Sequence, residues 1–569
     1  MIGTHRHICS AISLLFALAA FLFFGLRCPY HIHFQEQYQL FEWTSEHFCS
    51  VAGVPGGLAD WCGSFLTQFF YYAWAGAAIL ALLLAGVQLA TWWLFREKNL
   101  ISFAMSFLPA IVCWAFLCSE YSLAGTVVAL IFCLLAAKAA QKAGTPLGVA
   151  AVPFVYFACG PLALAYVAIV PMQKRKAAAA IGSLAILALC IFASARIFHY
   201  TPERLSHGIH YVRDYALFPT LPWCAAALAV LATAASGLKW PESRITTTSW
   251  LGAACLAVLA AFSIPFIGRF EDSDKENMMK YDFYVRMGMW NRIMQTADRE
   301  KPTGAFQTIC VNTALARSGR MADHMFEYYQ NGTDGLLPAF APESFGPLAI
   351  GEAFWQMGMV NTAQRYTFEA QEAIRDYRKS SRCYKRLAET NIVNGDYMVA
   401  QKYLNSLKNT VFYKKWALET EKLLSDEQAI NAHEEYGRLR KMRLKEHDFL
   451  FSQTEMDSMI GILYTENRQN SIAYNYLMAW CLLSKNLPRF LDCLQLASFP
   501  HMPKSYQEAY LLDWTQNNAL AEGIPSFIDR EHVTRIDSFI RDARAGKSLE
   551  EMERLYSDTY WFYYFYRGI

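Results

Sequence analysis

The sequence predicts an all-α protein in two parts. Residues 1–270 form a polytopic membrane domain of about eight hydrophobic segments, one of them broken, and residues 271–569 form a soluble domain of helix-hairpin repeats. Three observations carry this reading. Charge is uneven: residues 1–270 hold 15 Lys+Arg and 9 Asp+Glu, residues 271–569 hold 36 and 40, and together these make up the 51 and 49 of the 569-residue chain. Apolar runs near the length of about 20 residues that a helix needs to cross a hydrocarbon core recur through the first part. From Tyr281 onward apolar residues recur with a period near 3.6 and few β-branched runs, the pattern of amphipathic helices. These features exclude a wholly soluble enzyme, a disordered chain and a collagen-like fibre. The net charge of +2 gives no reason to expect nucleic acid as a partner. The partner that composition does imply is a lipid bilayer.

The hydrophobic segments follow in order. Ile8–Leu26, Phe69–Phe95, Leu100–Cys118, Ser122–Ala137, Ala177–Phe198, Phe218–Gly237 and Trp250–Gly268 each read as one span. The first lacks a small-x-small cleavage site and stays as an anchor. Leu147–Pro171 is long enough to cross but is interrupted by Gly160-Pro161. Arg6, Arg96, Lys98, Lys138 and Lys142 place the N-terminus in the cytoplasm by the positive-inside rule. The basic triplet Lys174-Arg175-Lys176 stays inside if Leu147–Pro171 enters and returns, and lies outside if it crosses once. The first arrangement is preferred, because the triplet is a strong retention signal and Glu271-Asp272-Ser273-Asp274 suits the outer side. It predicts an inner-membrane protein with a periplasmic C-terminal domain.

The loop 30–68 between the first two spans is polar and aromatic in alternation and reads as interfacial. Glu36 and Asp60 are its candidate catalytic carboxylates, because a carboxylate at the water–membrane boundary can deprotonate a hydroxyl or hold a metal. His31, His33 and Gln37 beside Glu36, with Lys174, Arg175 and Arg213, are candidates for binding a substrate or a lipid phosphate. No metal site is predicted, since the histidine spacings lack a partner carboxylate in a helical frame. No cofactor is expected, apart from a divalent metal under the enzymatic alternative below. Cys49 and Cys62 share this loop, and either a bridge or two free thiols fits. Most other cysteines lie in apolar runs and act as small apolar residues.

In the second part, turn signals at Ser318-Gly319-Arg320, Met357-Gly358-Met359, Asn394-Gly395-Asp396 and Lys485–Pro488 separate the helices. Gly319, Gly358 and Gly395, with Ala370 twelve residues after Gly358, are candidate repeat-packing positions. They resemble the small residues that let paired helices of tetratricopeptide repeats approach closely. Stacked hairpins leave a concave surface that suits a partner. The aromatic tail Tyr556–Tyr566 reads as an end cap. P-loop, GxSxG, HExxH, CxxC and Rossmann signatures are absent.

Gln35–Phe41, Pro55–Leu58, Phe65–Tyr72, Asn391–Tyr397 and Ala400–Leu404 together resemble a family of uncharacterised inner-membrane proteins from Bacteroidota. The resemblance implies a polytopic N-terminal region and a tetratricopeptide-like C-terminal region, and no activity. The chain is more distantly similar to the GT-C-fold glycosyltransferases, which use lipid-linked sugar donors and carry an acidic residue in a long first outer loop, a position that Glu36 matches in kind. Two functions follow as expectations. One is a membrane protein whose repeat domain binds an envelope protein or glycan. The other is a GT-C-like glycosyltransferase with Glu36 as base or metal ligand.

Overall fold

Helices dominate the protein, seen in a computed structural model that describes residues 2–569 except 97–98, 175–176, 215–216, 237–244, 340–345, 375–377, 445–451, 453, 518–522 and 568–569. Among the described residues there are no β-strands, only isolated bridges between Ser122 and Val212 and between Asn331 and Thr333. Two compact units make up the chain. Unit 1 comprises Met1–Glu276, Ile374–Arg382 and Ser406–Trp416; unit 2 comprises Asn277–Ala373, Cys383–Asn405 and Ala417–Ile569.

Among the described residues, seven helical stretches are long and apolar enough to cross a membrane: His7–Arg27, Ala73–Leu94, Leu100–Leu117, Ala124–Ala143, Val152–Val170, Ala177–Ile197 and Trp250–Gly268. Thr220–Ala235 is an eighth, shorter apolar helix. Unit 1 is thus built from α1 (Ile2–Arg27), α2 (Pro29–Gln37), α3 (Ser45–Ala52), α4 (Gly57–Thr67), α5 (Ala73–Leu94), α6 (Leu100–Met105), α7 (Phe107–Leu117), α8 (Ala124–Ala143), α9 (Thr145–Ala150), α10 (Val152–Cys159), α11 (Ala163–Lys174), α12 (Ala177–Ile197), α13 (Pro202–His207), α14 (Thr220–Ala235) and α15 (Ile245–Gly268). The sequence shows one break, at Gly160-Pro161, and the structure adds another. Between α6 and α7, Ser106 bonds back to the Phe103 carbonyl at 2.6 Å and accepts a bond from the buried Gln88 amide at 2.8 Å. Gln88 in turn accepts from the Ser13 hydroxyl at 2.9 Å, so three apolar helices share one polar link. Such links hold helices together where water is absent.

Val152–Val170 meets the length criterion but does not run straight. Gly160 takes a φ of 73°, a conformation that strains any residue with a Cβ, and a 3-10 turn over Gly160–Leu162 joins α10 to α11. The turn packs on the loop after α3, where Gly56 donates to the Phe157 carbonyl at 2.9 Å and a Cβ on Gly56 would lie 3.3 Å from the Gly160 Cα. At the far end of both limbs, Tyr166 donates to the Gly148 carbonyl at 2.6 Å, and a Cβ on Gly148 would lie 3.1 Å from Val170. A straight helix would separate Gly148 and Val170 by about 33 Å. The segment therefore enters and returns as a helical hairpin.

The hairpin sorts the connections of unit 1 to two ends. Its tip lies with the α1–α5 loop. Tyr211, from the α12–α14 connection, donates to the Cys159 carbonyl at 2.5 Å and accepts from the Leu162 amide at 2.8 Å. The Arg213 amide donates to the Tyr121 carbonyl at 2.8 Å, and Arg27 at the end of α1 pairs with Glu271 at 3.0 Å. At the opposite end the Gln141 amide reaches the Leu94 carbonyl at 3.3 Å, in the region of Arg96, Lys138 and Lys142.

Unit 2 is all-helical around three buried helices, Ala305–Arg317, Gly346–Met357 and Ser471–Leu483, whose faces are covered nearly all round. That is the pattern of a core helix rather than a surface one. Asn470 bonds to the Met357 carbonyl at 2.8 Å, and Thr313 to the Tyr476 hydroxyl at 3.1 Å, tying the three together. Amphipathic helices such as Trp290–Glu300, Leu487–Leu494 and Arg530–Arg544 pack outside them. Gly319, Gly358 and Gly395 all adopt positive φ at helix ends, and Ala370 is buried in Val360–Glu372. The last helix, Tyr560–Tyr566, buries Tyr560, Trp561, Phe562 and Tyr563 within unit 2.

Candidate functional site

The short helix α2 carries most of the candidate residues, and it is buried on nearly every side. His31, Gln35, Glu36 and Gln37 are all within it and all buried, while His33 is half-buried. Pro29 at its first position suits a helix start, but Cys28 offers no side-chain cap. The orphan amides of the first turn find a distant acceptor instead: Glu276 takes the Tyr30 and His31 amides at 2.8 and 2.9 Å. A carboxylate there also meets the positive end of the helix dipole.

One side of α2 meets the two segments that the C-terminal half contributes to unit 1. Glu36, 3% exposed, accepts from the Tyr413 hydroxyl at 2.9 and 3.0 Å, from the Gln37 amide, and from the Ser381 hydroxyl at 3.4 Å. Ser380 donates to the Gln37 carbonyl at 2.7 Å, and the Ser381 amide to the Gln39 carbonyl at 3.2 Å. Further along the loop, Lys379 pairs with Glu42 at 2.7 Å and Arg378 with Asp60 at 2.5 Å. The Trp43 amide donates to the Asn409 carbonyl at 2.8 Å, and Phe412 stacks on Tyr71 with ring centroids 4.9 Å apart. Charge-assisted bonds of this kind are the stronger class of hydrogen bond.

The other side of α2 faces Arg213. Its guanidinium donates to the Gln35 side-chain oxygen at 2.6 Å and to the Tyr38 carbonyl at 2.9 Å, while its Nε has no hydrogen-bond partner. No carboxylate pairs with it among the described residues. Burial, with the Arg378 cation adding to it, pushes its pKa down to about 10. His31, buried and next to that cation, is held neutral with a pKa lowered to about 4.

Glu36, Asp60, His31, Gln37 and Arg213 therefore come together in one loop cluster, with His33 beside them on α2. Lys174 ends α11, which the hairpin carries away from the end where α2 lies, and Arg175 lies outside the described residues. Beside Glu36 there is a cleft lined by Gln39, Gln68, Ser381, Thr410 and Tyr413, with free volume of about 10 Å³. That is room for one water molecule at most. Cys49 and Cys62 are both free thiols. Among the described residues no cluster of three or more His, Cys, Asp or Glu is placed to hold a metal.

Sequence reasoning missed Arg378, Lys379, Ser381 and Tyr413, the direct partners of its candidate carboxylates. They lie more than 300 positions from α2, in segments that read as turns between amphipathic helices. The only local hint is a basic, serine-rich stretch and an exposed-looking aromatic pair, Phe412-Tyr413, where a plain turn would suffice.

Helices of this length and hydropathy, bundled around buried polar links, define a multi-pass α-helical membrane protein. The chain belongs to a family of unknown function, DUF6057, whose model matches residues 5–567. No curated protein and no solved structure matches it.

Proposed function

We propose that the chain is an inner-membrane binding protein: unit 1 anchors it, and unit 2, on the periplasmic side, binds an envelope protein or glycan. The observation that carries this reading is the closure of the loop site. Glu36, Glu42 and Asp60 each have a partner from segments 374–382 or 406–416, and a base needs an open lone pair with room for a substrate. The loop thus works as a clasp on the two stretches of chain that lead into and out of unit 2. Sidedness follows from the basic residues Arg96, Lys138 and Lys142 at the end opposite the clasp, by the positive-inside rule. The seven passes left when the α9–α11 hairpin is not counted as a crossing also put the chain after α15 opposite the N-terminus. Helical units of this sort are suited to presenting a broad binding surface.

A GT-C-like glycosyltransferase is favoured by one observation, the buried Arg213 guanidinium without a carboxylate, next to the helix that carries Glu36. A lipid phosphate would neutralise it.

The deciding experiment places a photo-crosslinking residue at Met398, 88% exposed in unit 2, in the full chain in intact cells. Adducts with one defined envelope protein or glycan are expected, unchanged by Glu36→Gln. Adducts with cytoplasmic proteins, or loss of an envelope glycan in Glu36→Gln cells at normal protein level, would overturn the binding reading.

A further inference from the structure

Helices α1 and α15 both leave apolar faces open at one shared groove. Their apolar stretches are only 28% and 11% buried, yet they run alongside each other: Ile12 to Arg27 on α1 and Leu256 to Gly268 on α15, with Glu271 just beyond it, form opposite walls of a groove of about 820 Å³. Trp114 of α7 forms part of its floor. Fifteen residues of helix make the groove about 22 Å long. That exceeds one leaflet of a core of about 30 Å, so an extended acyl chain fits along it.

One end carries charge. Arg27 gives its Nε and Nη2 to Glu271 at 3.0 and 3.3 Å, its side chain is 66% exposed, and its Nη1 has no acceptor among the described residues. Arg27 ends the first span, at the depth where headgroups lie. The α1 wall is bulky, with Leu15, Phe16 and Phe23 along it, which prevents the close backbone approach that membrane helix pairs favour. An acyl chain conforms to such a wall.

We infer that this groove is a phospholipid site, holding acyl chain between α1 and α15 with an anionic headgroup phosphate on the outward nitrogen of Arg27. The inference rests on unit 1 alone and does not depend on what unit 2 binds.

The test uses the full chain in mild detergent, washed free of lipid, then supplied with phosphatidylglycerol or phosphatidylcholine of equal chain length and weighed by native mass spectrometry. One retained phosphatidylglycerol per chain is expected. Ala260→Trp, which fills the groove, should weaken retention by about tenfold or more, since each lost methylene contact counts. Arg27→Gln should keep a lipid but lose roughly fivefold preference for the anionic one. Leu82→Trp, on the exposed face of α5, should leave retention unchanged. If Ala260→Trp does not fold, the headgroup preference of Arg27→Gln still decides. The site is refuted if the wild-type chain retains no lipid, if Arg27→Gln shows the wild-type preference, or if Leu15→Cys crosslinks two copies through the groove.

Discussion

Two glutamates, one in each unit, are buried by opposite means. Glu36 of unit 1 is surrounded by donors: Tyr413 on both oxygens, Gln37, and Ser381. Glu508 of unit 2 is fully buried with one oxygen accepting from the Tyr560 amide at 2.8 Å and the other, Oε1, without a hydrogen-bond partner. His532 approaches that oxygen only to 3.9 Å. Desolvation drives the Glu508 pKa up to about 8, against the weaker pull of Lys504. A buried carboxylate costs little if its lone pairs are filled, and otherwise it keeps its proton. The first solution joins segments distant in sequence, and the second makes unit 2 sensitive to pH.

The largest expected effect sharpens this contrast. A carboxylic acid with a raised folded pKa contributes stability that is full below about 4.5 and is lost as pH rises towards 8. Glu508→Gln should therefore raise the stability of unit 2 by on the order of 4 kcal/mol at pH 9, with little change at pH 4. Thermal unfolding of the full chain across that range checks it, and a parallel pH slope in the variant would refute the protonated state. Next, Arg378→Ala leaves Asp60 buried and unpaired, and unit 1 should lose about 3 kcal/mol. Adding Asp60→Ala should restore most of that loss, which a double-mutant cycle measures.

His31 provides a pH effect of opposite sign in unit 1. Its folded pKa is lowered to about 4, so its contribution is present above 6.5 and lost as pH falls through 4. Unit 1 should be weaker by about 2 kcal/mol at pH 5 than at pH 7, and His31→Gln should remove that slope. Proteolysis of the loop over this range provides the readout. The smallest effect is Tyr413→Phe, which removes a hydroxyl from a charged acceptor and should cost about 1.5 kcal/mol. If it costs nothing, the clasp around Glu36 holds by packing, with Phe412 on Tyr71 as the first place to look.

Each part of the site differed in how plainly the chain announced it. The alternation of aromatic and polar residues from His31 to Trp43 marks a segment that must satisfy both an apolar and a polar environment, and α2 proves to be buried on nearly every side at the loop end of unit 1. The break at Gly160-Pro161 is legible for a related reason, since only glycine accepts the φ of 73° that turns the hairpin. Arg378 and Tyr413 carry no such mark. An arginine or tyrosine in a turn has the same local propensity whether it faces solvent or a carboxylate. Glu508 sits in the helix Lys504–Asn517, which has no clear apolar face, and nothing local shows that Tyr560 and Trp561 will close over it.

Hydropathy and length determined the helical membrane part, because every backbone group in a bilayer must bond within its own helix. Period determined that the rest is helical. Tertiary structure alone decided that residues 374–382 and 406–416 belong with the membrane unit, and that Glu36, Glu42 and Asp60 are taken by partners. Those pairings join residues hundreds of positions apart, and a contact of that kind comes from the packing of the whole chain rather than from any window of its sequence.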